Sequence, residues 1–421
     1  MSHHLSTLAI HAGTAPDPAT GARIVPIYHS NGYVFDDLDH GSDLFALDRV
    51  GYAYGRSGNP TVAAFERRIA ALEGGASAIA CASGQSALLM ILTALCRTGD
   101  EVIAAKHVFG GTVGLLKRFQ SQFGITVKFV DPHDVESVAR AVSPKTRGVF
   151  VEALLNPTGD VVDLDHLATL CKAARLPLVV DSTLATPALL RPIAHGADIV
   201  WHSASKFMSG SGTAIGGVIV DSGNNDWIDD RYPLIVQPFE DYDNIEVLKK
   251  YPGWPFAAAC RIVGMRELGP CLSPTNAFML ITGTETLPLR MERHSSNALA
   301  LHRFLAEHPA VSAVSHPGLS GHPRHNLAGA LLPNGMGSVQ TVTLKGGRGA
   351  ASLVTSKLKL FSHLVNVGEA RSLVAHPATT THRNIDAASR EALGITDGTL
   401  RLSVGIEDPE DLIADFERAL R

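Results

Sequence analysis

Paired cysteines are missing from this chain. Its five cysteines, Cys81, Cys96, Cys171, Cys260 and Cys271, form no C-x-x-C pair and leave one over. That excludes a fully paired disulfide framework and suits a reducing compartment, so they read as core thiols. No apolar run reaches the roughly 18 residues of a membrane span, and the opening MSHHLSTLAIHAGTAPDP lacks the apolar segment of a secretory leader. The expected location is the cytoplasm, with no membrane partner. Charge is sparse too: 18% of residues are Asp, Glu, Lys or Arg, and a formal net charge of -5 supplies no basic field for nucleic acid. Neither G-x-x-x-x-G-K-[ST] nor H-E-x-x-H occurs. His294, His302 and His308 fall on one helical pattern without i, i+4 spacing, so they read as surface residues and no metal is expected. GSGTAIGG, residues 210–217, gives G-x-G-x-x-x-G and precedes a strand pattern, not a helix, which makes it a poor dinucleotide site.

What is present is length and hydrophobicity. A chain of 421 residues, 45% of them hydrophobic, favours two or more domains sharing an interface. Residues 1–58 are rich in Gly, Pro, Asp and His with little periodicity and read as an arm that packs on another subunit. Residues 59–256 alternate helix and strand patterns. TVAAFERRIAALEGG is an amphipathic helix closed by glycines and GQSALLMILTAL a second helix. EVIAA, TVKFV, GVFVEAL, PLVVD, ADIVWHS and IGGVIVD are short, continuously apolar runs, as in parallel strands covered on both faces. The fold class is therefore α/β: a mostly parallel sheet with helices on both faces. DWIDDRYPLIVQPFEDYDNIEVLKKYPGWPF breaks the alternation and is expected to cross an active-site mouth. Residues 257–421 then form a smaller α+β domain, with the long helix ETLPLRMERHSSNALALHRFLAEH and strands SVQTVTL and LRLSVGI.

Ligands of open parallel sheets gather at the carboxyl ends of the strands, so polar residues ending apolar runs are the first candidates. Asp181 ends LPLVV, Asn156 follows VFVEALL, and Ser203, Ser205 and Lys206 follow ADIVW in HSASKF. Singly, each such Asp or Ser is more often a helix cap or turn. As a set they point to chemistry. A lysine at a buried strand end is costly as a cation, so its pKa falls and its amine becomes a nucleophile for a carbonyl. A carbonyl cofactor held through a Schiff base is most often pyridoxal 5'-phosphate, which needs an acid at its ring nitrogen and an anion site. Asp181 offers the acid. Ser83, Gly84 and Gln85 open an apolar helix, whose free N–H groups and dipole suit a phosphate. Ser203 and Ser205 add hydroxyls, and Arg56 in YAYGRSGNPT adds a bidentate cation.

The blocks YGRSGNPT, ASGQSA, FGGT, EALLNPTGDVVD, VVDSTLATP, GADIVWHSASK, ETLPLRMERH, NVGEARSL, HPATTTH and LRLSVGIEDPEDL resemble, in order and nearly end to end, the Cys/Met-metabolism family of pyridoxal-phosphate enzymes. Within it the O-acetylhomoserine sulfhydrylase branch is the nearest likeness. The resemblance implies that Lys206 is the Schiff-base lysine and that Asp181 pairs with the pyridine nitrogen. Ser203, Ser205, Gly84 and Gln85 fall on phosphate-binding positions. Tyr54 and Arg56 match a Y-x-R pair that reaches the phosphate of a neighbouring subunit, implying an active homodimer within a homotetramer. Asn156 matches a residue beside the cofactor's phenolic oxygen, and Arg401 the arginine that grips the substrate carboxylate, with Asn366 in the loop beside it. Read without the family, Arg401 is only a strand-end arginine that suits a surface salt bridge.

One position departs from the family pattern. Phe109, in KHVFGGT, stands where a tyrosine stacked on the cofactor ring is usual. Phenylalanine keeps the stacking but can neither donate nor accept a proton. Departing thiols and thiolates suffer most from losing that acid, and a stable anion such as acetate least. The expected activity is γ-replacement or γ-elimination on an O-substituted homoserine-type amino acid, most like O-acetylhomoserine sulfhydrylation. A γ-lyase on an oxygen-linked substrate such as canavanine, or on methionine, is the alternative. A cofactor-fold binding or regulatory protein is the non-enzymatic reading, and intact Lys206, Asp181 and Arg401 speak against it.

Overall fold

The computed structural model describes residues 3–227, 230–383 and 385–421. Among them the strands form two sheets. The larger contains β1 (Ser77–Cys81), β2 (Glu101–Ala105), β3 (Thr126–Val130), β4 (Thr146–Glu152), β5 (Leu178–Asp181), β6 (Ile199–His202) and β7 (Gly217–Asp221), in the order β1-β7-β6-β5-β4-β2-β3. From β6 to β3 all neighbours are parallel. The smaller contains β8 (Val311–Ser315), β9 (Val339–Leu344), β10 (Ser362–His363), β11 (Leu373–Ala375) and β12 (Thr399–Ser403), in the order β10-β11-β12-β9-β8.

Continuous apolar runs become central strands because both faces of the large sheet are covered. Val149, Val151, Val180, Val200 and Val218 point into one core, while Phe150, Val179, Ile199, Trp201 and Ile219 point into the other. Each such side chain contributes about 1.5–3 kcal/mol on burial, so a polar residue is tolerated only where the run ends. Glu152, Asp181 and the turn that carries Lys206 lie at those ends.

Local signals fix the helices beside the sheet. In the Pro60–Glu73 helix, Asn59 Oδ1 accepts the N–H groups of Thr61 (2.9 Å) and Val62 (3.3 Å), and Pro60 occupies the first turn. The buried Arg68 of this helix donates to the carbonyls of Ile10 (2.9 Å), Ala12 (3.0 Å) and Ile281 (3.0 Å), tying down the N-terminal arm. Its last residue, Glu73, bonds His202 Nε2 through Oε1 at 2.7 Å, both side chains being fully enclosed. The Gly84–Leu95 helix is capped by Ser83 and Ser86 in a capping box.

Several sequence expectations need correction. IGGVIVD is β7, but it runs antiparallel to both neighbours, and β1, which it joins to the sheet, was not anticipated. TVKFV is β3 at the sheet edge and is partly exposed. The segment after β7 does not cross the active-site mouth: Trp227, Tyr232, Ile235, Val247 and Phe256 are buried in the core under Trp201 and Ile219. Aromatics and prolines there mark packing across short helices, not an exposed loop. Asp226 and Trp227 begin the described part of that stretch, and residues 228 and 229 lie outside the described residues. His294 and His302 are fully buried on the Leu287–Glu307 helix, each Nδ1–H donating to a backbone carbonyl, of Val404 and Ala298 respectively, because this helix feeds the cores of both the larger and the smaller sheet. Cys271 is exposed, unlike the other four cysteines. The core of the smaller sheet draws its buried residues from Ala298 onward, whereas Phe256 to Met265 pack with the larger one.

Candidate active site

Strand ends, one helix start, and one loop and one strand of the smaller sheet enclose a cavity of about 250 Å³. Ser83, Gly84, Gln85, Phe109, Asn156, Asp181, Ser203, Lys206, Asn366 and Arg401, ten of the residues expected from sequence, border it. Glu152, Thr183 and Trp201 border it as well.

The turn after β6 carries Lys206. Its ammonium donates to Asn366 Oδ1, and burial, with Arg401 second, holds its pKa below the ordinary lysine value. A lysine so placed has a lone pair available more often than a surface lysine, which is the property required of a carbonyl nucleophile. Ser203, three residues earlier, donates its N–H to Thr183 Oγ1 at 2.8 Å. Thr183 also donates its N–H to Asp181 Oδ1 at 2.9 Å, so one threonine orients both the serine and the aspartate.

Asp181 ends β5 and Glu152 ends β4, opposite one another in the parallel register. Glu152 is 4% exposed and accepts the N–H of Phe109 on Oε1 (2.5 Å) and of Asn156 on Oε2 (3.0 Å). Burial, reinforced by Asp181, pushes the Glu152 carboxyl up to about 8. Burial likewise raises Asp181, against the bonds from Thr183. Two enclosed acids without a cation of their own suit a ligand that brings an N–H donor or a positive charge.

The start of the Gly84–Leu95 helix forms the opposite wall. Its first intrahelical bond runs from Ala87 N–H to the Ser83 carbonyl at 3.0 Å, which leaves the N–H groups of Gly84 and Gln85 without helical acceptors. A Cβ on Gly84 would lie 2.8 Å from Ser203 Cβ and 2.9 Å from its Cα, and one on Gly217 would lie 2.1 Å from the Ser83 carbonyl oxygen. The helix start is thus seated flush against the lysine-bearing turn, and only glycine permits it. An anion held there receives backbone N–H groups, the helix dipole and the Ser203 hydroxyl together.

Arg401, in β12, closes the cavity from the smaller sheet. It is 3% exposed, and among the described residues no carboxylate pairs with it. Its guanidinium donates to Asn366 O (3.0 Å) and Asn156 Oδ1 (3.3 Å), and burial holds it down to about 10. An unpaired buried guanidinium is matched by an incoming carboxylate. Phe109 presents its ring, 40% exposed, on the cavity side.

The residues fit pyridoxal phosphate by the chemistry of each donor: a low-pKa amine, an acid pair short of a cation, and an anion-seeking helix start. Three expected residues are not gathered here. Ser205 does not border the cavity; its hydroxyl donates to the Gly216 carbonyl (3.2 Å) and accepts the Gly216 N–H (3.0 Å). Tyr54 is 47% exposed, and the Arg56 guanidinium lies 5.5 Å over its ring and donates to the Arg266 carbonyl. Sequence reasoning missed Glu152 and Thr183. Glu152 satisfied the same rule that found Asp181, an acid ending an apolar run, whereas Thr183 carried no signal.

Comparison with known proteins agrees with this chemistry. The family model for the Cys/Met metabolism PLP-dependent enzymes matches residues 6–421. A homocysteine synthase of Schizosaccharomyces pombe is 46% identical over 422 aligned positions, covering 100% of this chain and 98% of that protein. An O-acetyl-L-homoserine sulfhydrylase of Leptospira meyeri is 42% identical, covering 99% of this chain and 96% of that one. A 2.35 Å crystal structure from Campylobacter jejuni, assigned as an O-acetylhomoserine (thiol)-lyase and holding an N'-pyridoxyl-lysine-5'-monophosphate, superposes with a TM-score of 0.95 at 34% identity, covering 99% of this chain and 100% of that one. With its lysine, acid pair, helix start and arginine converging on one cavity, the chain belongs to the Cys/Met metabolism family of PLP-dependent enzymes.

Proposed function

We propose that this enzyme catalyses γ-replacement on an O-acylated homoserine, with sulfide or a thiol as the nucleophile. The observation that carries the reading is Phe109: the cavity holds a proton-shuttling lysine and a carboxylate clamp, yet the ring facing them has no acid to give a leaving group. An acetate ester needs none, because acetate departs as a stable anion. The names of the Schizosaccharomyces pombe and Leptospira meyeri relatives support the same substrate class.

Bound pyridoxal phosphate supplies an electron sink for charge developing on the substrate's α- and β-carbons. The chain's own residues do the rest. Arg401 binds the substrate α-carboxylate in place of its missing partner, and Asn366 fixes the Arg401 and Lys206 side chains relative to each other. Lys206 Nζ takes the α-proton, its pKa lowered by burial and then by Arg401. Asp181 holds the proton of the ring nitrogen. Ser203 with the N–H groups of Gly84 and Gln85 anchors the phosphate, so that the reacting carbons stay beside Lys206. Tyr54 and Arg56, which do not border their own cavity, are available to a neighbouring subunit's phosphate in a homodimer, and a cytoplasmic location accords with buried free thiols.

Phe109 also favours a second reading, γ-elimination of an oxygen-linked group that carries its own acidic nitrogen, as in canavanine. The deciding assay supplies O-acetylhomoserine with sulfide, and separately methionine and canavanine. Homocysteine formation exceeding both eliminations is the expected outcome; rapid canavanine turnover with negligible sulfhydrylation reverses the order of the two readings.

A further inference from the structure

His107 and His133 stand outside the Lys206 cavity, yet the same sheet brings them together. β2 and β3 pair in parallel with Ala105 opposite Val130. The residues just past their carboxyl ends therefore emerge side by side, His107 from one strand and Asp131 and His133 from the other. One ligand atom from each of these three lies within 4.8 Å of the other two, the one such group of His, Cys, Asp or Glu among the described residues. His107, His133 and Asp160 border a second cavity of about 400 Å³. Asp160 Oδ2 is 3.1 Å from His133 Nε2. The buried Nε2 of His107 has no hydrogen-bond partner, so the ring has an unused nitrogen at this place.

We propose that His107, Asp131 and His133, completed by Asp160, bind a divalent first-row transition-metal ion of the zinc class. Two imidazoles and two carboxylates form a donor set that suits zinc, cobalt or nickel and not magnesium or calcium, which take oxygen ligands. With bonds of about 2.0–2.2 Å, a tetrahedral ion sets its ligand atoms roughly 3.4 Å apart. His107, Asp131 and His133 close by no more than about 1.5 Å to reach that, within the range of rotation about their side-chain bonds, while Asp160, held beside His133 but outside that 4.8 Å group, moves further. The competing group is Lys106, whose ammonium is 2.9 Å from Asp131 Oδ2. It is about half exposed, and such surface pairs hold about 0–1 kcal/mol, far less than a metal bond set offers.

The ion would act on the neighbouring site through a short stretch of chain. His107 is two residues before Phe109, whose N–H is bonded to Glu152 inside the catalytic cavity. Occupancy fixes this stretch at one end and the Glu152 bond fixes it at the other, so bound metal alters turnover without touching the substrate.

The test uses the cofactor-loaded enzyme, cleared of metal with a chelator and titrated with Zn²⁺ by calorimetry and with Co²⁺ by its visible ligand-field bands. The expected result is one ion per chain, with affinity reduced at least about 30-fold in the double variant His107→Gln, His133→Asn. Lys106→Ala alters only an exposed side chain and removes the rival cation, so it is expected to tighten binding severalfold. No saturable binding below about 100 μM, unchanged affinity in the double variant, or weaker binding in Lys106→Ala each overturns the proposal. If the double variant does not fold, as judged by circular dichroism, Lys106→Ala alone decides.

Discussion

Glu152 and Asp181 end neighbouring parallel strands in register, and both carboxyl groups face the cavity that Lys206 enters. Desolvation raises both, and each discourages ionisation of the other, so the pair is arranged to keep one proton and one charge. Asp181, steadied by Thr183, is the member suited to remain an anion once a protonated ring nitrogen arrives; Glu152, which holds the Phe109 and Asn156 backbone, is suited to keep the proton.

That division makes a statement about pH. Glu152 binds its proton more tightly in the folded chain, at about 8, than unfolded, near 4.5. Its contribution therefore favours the folded apoenzyme at low pH and is lost as pH rises from about 4.5 through 8, by on the order of a few kcal/mol. Glu152→Gln cannot titrate, so the fall of apoenzyme Tm over that window should be visibly flatter in the variant. Identical slopes for the two proteins would show that Glu152 is not the group responsible.

Arg401→Lys keeps a positive charge but loses the planar fork that reaches Asn366 O and Asn156 Oδ1. Steady-state kinetics should show kcat/KM reduced about 100-fold, chiefly through KM, equivalent to roughly 2.7 kcal/mol of lost carboxylate recognition. The visible absorbance of the bound cofactor should be unchanged. Loss of that absorbance instead would place Arg401 in cofactor binding.

Gly84→Ala drives a methyl group into Ser203, 2.8 Å from its Cβ. The helix start and the lysine-bearing turn must separate, at a cost of about 1–3 kcal/mol in stability. Cofactor affinity, followed by titrating the apoenzyme with pyridoxal phosphate, should weaken by at least about tenfold. Retained affinity would mean that the phosphate is not held against this helix start.

Phe109→Tyr returns an acidic hydroxyl to a ring that already faces the cavity. Release of methanethiol from methionine should rise at least about tenfold, while turnover of an acetate ester changes little. Equal rates on methionine before and after the change would reveal another proton donor in the cavity.

Much of this site was legible because its residues obey one rule: a polar side chain that ends an apolar run in a parallel sheet faces the ligand crevice. Asp181, Asn156, Ser203 and Lys206 were found by it, and Glu152 should have been. Arg401 was legible only through resemblance to a family, since an arginine in the middle of β12 has no local signature of its own. The reversal of β7 was hidden because a strand buried on both faces has the same composition in either direction. His294 and His302 were misjudged because helical spacing cannot tell that a helix is covered on nearly every side, with backbone carbonyls of Val404 and Ala298 waiting for the imidazoles. The meeting of His107 with Asp131 and His133 depends on strand register, which no spacing in the chain records.

The enclosed bond between His202 and Glu73 gives the molecule one end that should not be redesigned. It fastens the root of the lysine turn to a helix whose Arg68 also grips the N-terminal arm, so a change there is felt in three places at once. Phe109 is the reverse case, a partly open ring whose side chain makes no hydrogen bond. Engineering of a new leaving-group preference therefore belongs on the Phe109 side, where the scaffold has slack, with the His202 side left as the fixed bench.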